Sequence, residues 1–309
     1  MYRIFIGIAA AGVFAACETV VFPELPFAEP QLVVDAWVNN KEEPQIIKLS
    51  LTQPYFQNTL PPPVSGALVQ INGSDGAVYV FTEADTAAGT YVWVPSPGAP
   101  LGSMGVIYTL TVQAQGETYT ATTYMGRVPP IDSITFLLQK GNQFIDDLYL
   151  AEFWAVDPPE PGDAYWIKTW KNGRPLNKPS EINLAYDAGF SRGSNFNGVN
   201  FIAPIRRGIN PFDRDERGRF LSPYLPGDSV YVEIHSLSEA SFDFLTLVVL
   251  QTDRPGGFSE LFATPLSNVP TNIKNVNPSG KGALGFFNVA AVSGKGRRFN
   301  SLDDVQKRN

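Results

Sequence analysis

The chain has 309 residues, a formal net charge of −7 and a hydrophobic content of 44%. That apolar fraction is enough for ordinary cores and excludes a disordered chain, while the acidic balance without a basic run excludes a phosphate-neutralising nucleic-acid surface. The one cysteine, Cys17, excludes an intramolecular disulfide, so the folded parts must hold by packing alone.

The chain opens "MYRIFIGIAAAGVFAAC": Arg3, an apolar run from Ile4 to Ala16, then Cys17. The run falls short of the roughly 20 residues that span a bilayer, and it has the anatomy of a secretory signal over residues 1–16. Ala15 and Ala16 before Cys17 resemble the lipobox of bacterial lipoproteins, with Phe14 where Leu is usual. Such processing would place a diacylglycerol thioether on Cys17, cleave before it and acylate the new amino terminus. A lone thiol is otherwise a small core residue, but no core surrounds this segment. Two or more acyl chains anchor a protein stably where one does not. Cleavage removes Arg3 and takes the net charge from −7 to −8.

Residues 17–30 carry three prolines and three glutamates after the cysteine, which predicts an extended tether to the membrane. Seven strand-like runs follow: 31–39, 45–53, 66–73, 78–83, 89–94, 105–114 and 117–125. The segment "QAQGE" forms a tight hairpin between the last two. Seven short strands over 31–128 predict an immunoglobulin-like β-sandwich lacking the usual cysteine pair. "VPPIDSITF" marks a linker into a second β-rich, sandwich-like domain over 129–299, with strands at 148–159, 164–173, 182–189 and 228–237. Long loops rich in Gly, Asn, Arg and Asp fill 191–222. At 236–251 the apolar period becomes helical on more than one face, through Phe242, Leu245 and Val249 and again through Phe244, Leu247 and Val248. Ser236 and Glu239 have capping-box spacing. Residues 282–295 read as a last strand and 300–309 as a polar tail. The fold class is therefore mainly β, two sandwich-like domains with one packed helix.

Chemistry has few footholds. The single histidine, His235, sits where a strand meets the helix and reads as a turn-supporting residue. A zinc site draws on three or four His and Cys ligands, and no glycine loop for phosphate opens a helix; the expectation is no metal and no cofactor. Asp213, Asp215 and Glu216 in "PFDRDERGR" offer oxygen ligands of the kind calcium prefers, but interleaved arginines favour a solvated charged loop. Asp157 could pair with Glu160 or Asp163 as a glycosidase acid and base, or simply close a turn. Trp154, Trp166 and Trp170, with Tyr149 and Tyr165, either fill cores or stack on sugar rings. Core is favoured for Trp154 and for at least one of Trp166 and Trp170.

The segments "PQLVVDAWVNN", "PPIDSITF", "AEFWAVDPPEPGDAYW", "PGDSVYVEIHSLSEASFDFL" and "VPTNIKNVNPSGKGALGFFNVAA" occur in this order across nearly all of the mature chain. In order and spacing they resemble domain-of-unknown-function family 4249, a family of Bacteroidota lipoproteins. The resemblance implies an outer-membrane location and, from the family's gene neighbourhoods, partnership with a TonB-dependent β-barrel. It supplies no catalytic residues. The expectation is a non-enzymatic accessory or binding lipoprotein anchored through Cys17, with Trp166, Trp170, Asp213, Asp215 and Glu216 as candidate contacts. A carbohydrate-binding or carbohydrate-active surface protein and a structural envelope scaffold are the alternatives. Only Glu18 fits the acidic motif that some surface lipoproteins carry after the cysteine, so the membrane face stays open.

Overall fold

The computed structural model describes residues 28–306, apart from 55, 143–145, 194–195, 255, 258, 260–262, 264–266 and 268; Cys17 and the signal-like segment lie outside the described residues. The chain is mainly β. All seven expected strands of the first half form: β1 (Leu32–Asn39), β2 (Gln45–Leu51), β3 (Leu68–Gly73), β4 (Val78–Glu83), β5 (Thr90–Trp93), β6 (Ile107–Ala114) and β7 (Glu117–Tyr124). Their period-2 patterns place alternate residues on one core; on β1 these are Leu32, Val34, Ala36 and Val38, all buried. The β6–β7 turn is made by Gln115 and Gly116, both at positive φ, the primed geometry that two-residue hairpins favour.

Two strands from the far end of the chain complete this lobe. β14 (Lys274–Asn275) joins β7, and β15 (Ala283–Ala290) runs parallel to β1, giving the sheet order β14-β7-β6-β3-β4-β5-β2-β1-β15. β4 turns the corner: Val78 to Phe81 pair with β3, and Thr82 and Glu83 pair with β5. The sheet thereby folds into two layers over one core that includes Ile47, Leu49, Ile71, Tyr108, Leu110 and Phe287. Gly285 makes the close β1–β15 approach possible. It has φ +92, and a Cβ there would lie 2.0 Å from the Val34 carbonyl oxygen.

The second lobe is also a two-layer arrangement. β8 (Ser133–Gln139), β9 (Leu148–Trp154) and β17 (Val305–Gln306) form one sheet in the order β17-β8-β9. β10 (Ala164–Lys171), β11 (Arg174–Leu176), β13 (Ser229–Leu237) and β16 (Val292–Arg298) form the other, with β12 (Asn183–Tyr186) also on β10. Phe136, Phe153, Tyr165, Ile167, Val232 and Phe299 belong to the core between them. Among the described residues there are two α-helices, α1 (Ala203–Arg207) and α2 (Glu239–Thr252).

Several local expectations are corrected. The run 282–295 is two strands in two different sheets. The chain crosses at Ala291, whose N–H is bound by Ser236 Oγ and whose carbonyl accepts from Ser236 N–H. Ser236 is therefore a strand residue, and the helix cap is Ser238, whose Oγ accepts from Ser241 N–H at 3.2 Å. Glu239 is turned instead to the Tyr186 hydroxyl at 2.7 Å. The polar tail contributes a strand: Val305 and Gln306 pair parallel with Phe136 and Leu137. The chain leaves the first sheet after β7 and returns to it with β14 and β15, so residues 31–128 do not complete that sheet alone.

The segment between β12 and β13 is structural as well as long. It contains α1, and it covers the free edge of β9. Asn210 Oδ1 accepts from Ala151 N–H at 2.7 Å, and its Nδ2 donates to the Ala151 carbonyl at 2.8 Å. Asn272 treats Phe287 on β15 in the same way, at 2.9 and 2.8 Å. Each asparagine acts as one residue of a neighbouring strand and blunts an exposed edge.

Candidate functional site

An apolar groove of about 530 Å³ lies between α2 and β15, lined chiefly by Ala240, Asp243, Phe244, Leu247, Pro270 and Phe286. It exists because α2 has two apolar faces. Phe242 and Leu245 are buried in a small core with Leu237 and Tyr186, while Ala240, Phe244 and Leu247 sit one helical step round and face the groove. The polar side chains on the opposite wall are already committed. Thr271 Oγ1 donates to the Gly285 carbonyl, and Asn272 is bound to Phe287. Asp243 at the rim pairs with Arg192 at 3.0 Å. The groove thus demands little hydrogen bonding from an occupant and suits an apolar or aromatic group.

Aromatic rings form its back wall and continue into the junction between the lobes. Phe244 and Phe286 are 4.4 Å apart, Trp37 stacks on Phe286 at 5.8 Å, and Trp166 meets Trp37 edge-on at 5.6 Å. Lys168 Nζ lies 4.0 Å over the Trp166 ring, a cation–π contact.

Behind Trp166 the junction is charged. Glu233 on β13 is 2% exposed and receives Lys41 Nζ at 2.7 Å and His235 Nε2 at 2.8 Å. Burial pushes the Glu233 carboxyl up, but the bonds from His235 and Lys41 outweigh it and hold it at about 2. Burial holds the His235 imidazole below its ordinary value against the pull of Glu233, so it is neutral near pH 7, and Nε2–H donates to the carboxylate. Burial likewise lowers the Lys168 amine. His235, expected to support a turn, instead braces Glu233, the middle of an inter-lobe clamp.

The other sequence-predicted residues fall in separate places. Trp166 belongs to the aromatic wall just described. Trp170 is on the same face of β10, half-buried, and pairs with Tyr231 at 5.6 Å with the rings tilted by 55°. That tilt is far from the parallel platform that a sugar ring would need. Trp154 is half-buried, with Nε1 donating to Thr135 and the Arg206 guanidinium stacked 3.9 Å above it. Asp213 pairs with Lys178 at 2.5 Å. Asp215 is spent inside its own loop, accepting from the backbone of Arg217 and Arg219 and from the Arg219 side chain, contacts that lower its pKa. Glu216 is exposed on the same loop. Among the described residues no group of three His, Cys, Asp or Glu side chains stands close enough to hold a metal ion.

The carboxylates near the β9–β10 turn each have a bound partner. Asp157 is fully buried, accepting from Tyr165 Oη–H at 2.8 Å and Gly198 N–H at 3.2 Å. Burial raises it to about 6 despite those bonds. Asp163 is bound by two nitrogens of Arg127 at 2.7 and 3.3 Å, and Glu160 gives its carbonyl to the same guanidinium. Asp157 thus ties the end of β9 to β10 and to the loop at Gly198, and does not accept the local backbone bonds of a turn.

A family profile described as Domain of unknown function (DUF4249) matches residues 18–295. The chain belongs to the DUF4249 family. The match takes in both lobes, the groove and the Lys41–Glu233–His235 clamp. No curated protein matches the chain. Sequence reasoning passed over Phe244, Phe286 and Trp37 as site residues, although the two-faced apolar pattern of the DUF4249 helix was a usable signal for the first of them.

Proposed function

We propose that this protein is a non-enzymatic binding component of the outer membrane, anchored through lipid on Cys17 and working beside a TonB-dependent β-barrel. The α2–β15 groove is its contact surface. The observation that carries the reading is the position of the single cysteine, directly after a signal-like apolar run. Support for a binding role comes from a 530 Å³ groove with an aromatic wall and few free polar groups. Support for the barrel partnership comes from the gene neighbourhoods that the family resemblance implies.

Affinity isolation of the wild-type protein from native membranes tests this. A β-barrel of the TonB-dependent class should co-purify, and it should be lost from a Phe244→Asp, Leu247→Asp double variant that still folds. Isolation of wild type with no barrel at all would count against the proposal.

A carbohydrate-binding role is the second reading: the 55° tilt between Trp170 and Tyr231 removes a two-ring platform, but Tyr231, 40% exposed, still offers a single ring beside Trp170. Glycan-array binding that disappears in Trp170→Ala but survives the groove variant would support it instead.

A further inference from the structure

The pole of the first lobe at which the chain enters from Cys17 carries three exposed apolar side chains, one of them the most exposed large hydrophobic among the described residues. Leu60 is 91% exposed, Val276 60% and Phe56 44%. Single exposed apolar residues are ordinary, but Leu60 is held out rather than merely left out. Gln53 Nε2 donates to the carbonyls of Gln57 and Thr59 at 2.9 and 2.7 Å, and Pro61, Pro62 and Pro63 follow Leu60 directly. Leu51 N–H binds the Pro62 carbonyl, fixing the far side of the loop to β2. The protrusion is preformed, so inserting it into an apolar phase costs little ordering entropy.

This loop adjoins the tether. Gln31 and Thr52 exchange two hydrogen bonds at 3.0 Å each. The loop bearing Val276 reaches the same entry point, where Lys281 lies 3.9 Å from Glu29. The second lobe lies at the other end of β1, where Asn40 binds Val292 and Lys41 binds Glu233. Ten residues separate Cys17 from Ala28, a reach of at most roughly 40 Å. A tether of that length holds this pole at high effective concentration near the bilayer, so a weak apolar contact becomes populated.

We infer that the Leu60 loop, with Phe56 and Val276, is a second membrane contact that inserts into the lipid interface beside the anchor. The inference rests on the reading of Cys17 as acylated. Lys281 and Glu29 give the pole mixed charge, so the contact is apolar and does not require anionic lipid.

The acylated Cys17 leaves the mature chain without a free thiol, so Leu60→Cys can be labelled selectively with an environment-sensitive fluorophore. The labelled full-length mature protein is reconstituted in phosphatidylethanolamine/phosphatidylglycerol vesicles containing a nitroxide lipid, with Glu216→Cys on the second lobe as the comparison. Several-fold stronger quenching at position 60 than at 216, unchanged when phosphatidylcholine replaces phosphatidylglycerol, is the expected result. Equal quenching at the two positions in an acylated protein overturns the lipid contact alone. Quenching at 60 that appears only when a β-barrel is co-reconstituted overturns it in favour of a protein contact. Intact mass without acyl chains on Cys17 removes the anchor and this contact together.

Discussion

Lys41, on the turn after β1, places its Nζ 2.7 Å from Oε1 of Glu233 in the middle of β13, and so ties the first lobe to the second. Removing one partner of a buried pair strands the other charge, at a cost of about 3–5 kcal/mol. The Lys41 side chain is 32% exposed, and water screens part of this. Lys41→Met should therefore lower unfolding free energy by about 1–3 kcal/mol at pH 7. Denaturant titration checks it; an unchanged midpoint would show that the clamp does not couple the lobes.

The clamp also sets a pH dependence. Glu233 is depressed from 4.5 to about 2 and His235 is held below 6.5. Both contributions are complete above the unfolded values and are lost as pH falls, first below 6.5 through His235 and then from 4.5 toward 2 through Glu233. In an Asp157→Asn background, which removes an opposing titration in the same window, thermal midpoints should fall between pH 7 and pH 5, and adding His235→Gln should flatten that segment of the curve.

Asp157 has the opposite sign. Its rise from 3.8 to about 6 favours the folded state at low pH, and that advantage is lost as pH rises through 6. The difference amounts to at most about 3 kcal/mol. Asp157→Asn carries no such titration. Its stability relative to wild type should improve from pH 4 to about pH 6 and level off above that, whatever fixed cost the amide introduces. A constant offset across that range in paired melts would refute the assignment.

The edge caps predict local effects. Phe287 is fully buried, and Asn272 supplies partners for both its N–H and its carbonyl. Asn272→Ala leaves both unsatisfied and should cost about 2–6 kcal/mol, at about 1–3 kcal/mol for each unmet group. Hydrogen exchange at the Phe287 amide should accelerate well beyond that of the β6–β7 amides.

How much of this was legible differs between the lobes. The seven strands of the first half show clean alternation because each buries one face, as in β1 with Leu32, Val34, Ala36 and Val38 inward. β15 does not alternate: Phe286 through Ala290 are all buried, since the strand is covered on both sides. It therefore merges with β16 into one apparent run, and only the Ser236–Ala291 bonds reveal the crossing. The helix was legible, and its second apolar face was the trace of the groove. The other wall comes from Pro270 and Phe286, which local periodicity cannot bring to the helix. The Lys41–Glu233 clamp joins residues far apart in the chain, and the asparagine caps substitute a side chain for a strand. Neither leaves a local pattern.

The central claim is the anchor, and the N-terminal peptide of protein extracted from native membranes tests it most directly. Mass spectrometry should find a mature chain beginning at Cys17 and carrying acyl chains, and Cys17→Ala should release the protein from the membrane fraction. A mature chain without acyl mass at Cys17, or full membrane retention of the Cys17→Ala variant, would contradict it.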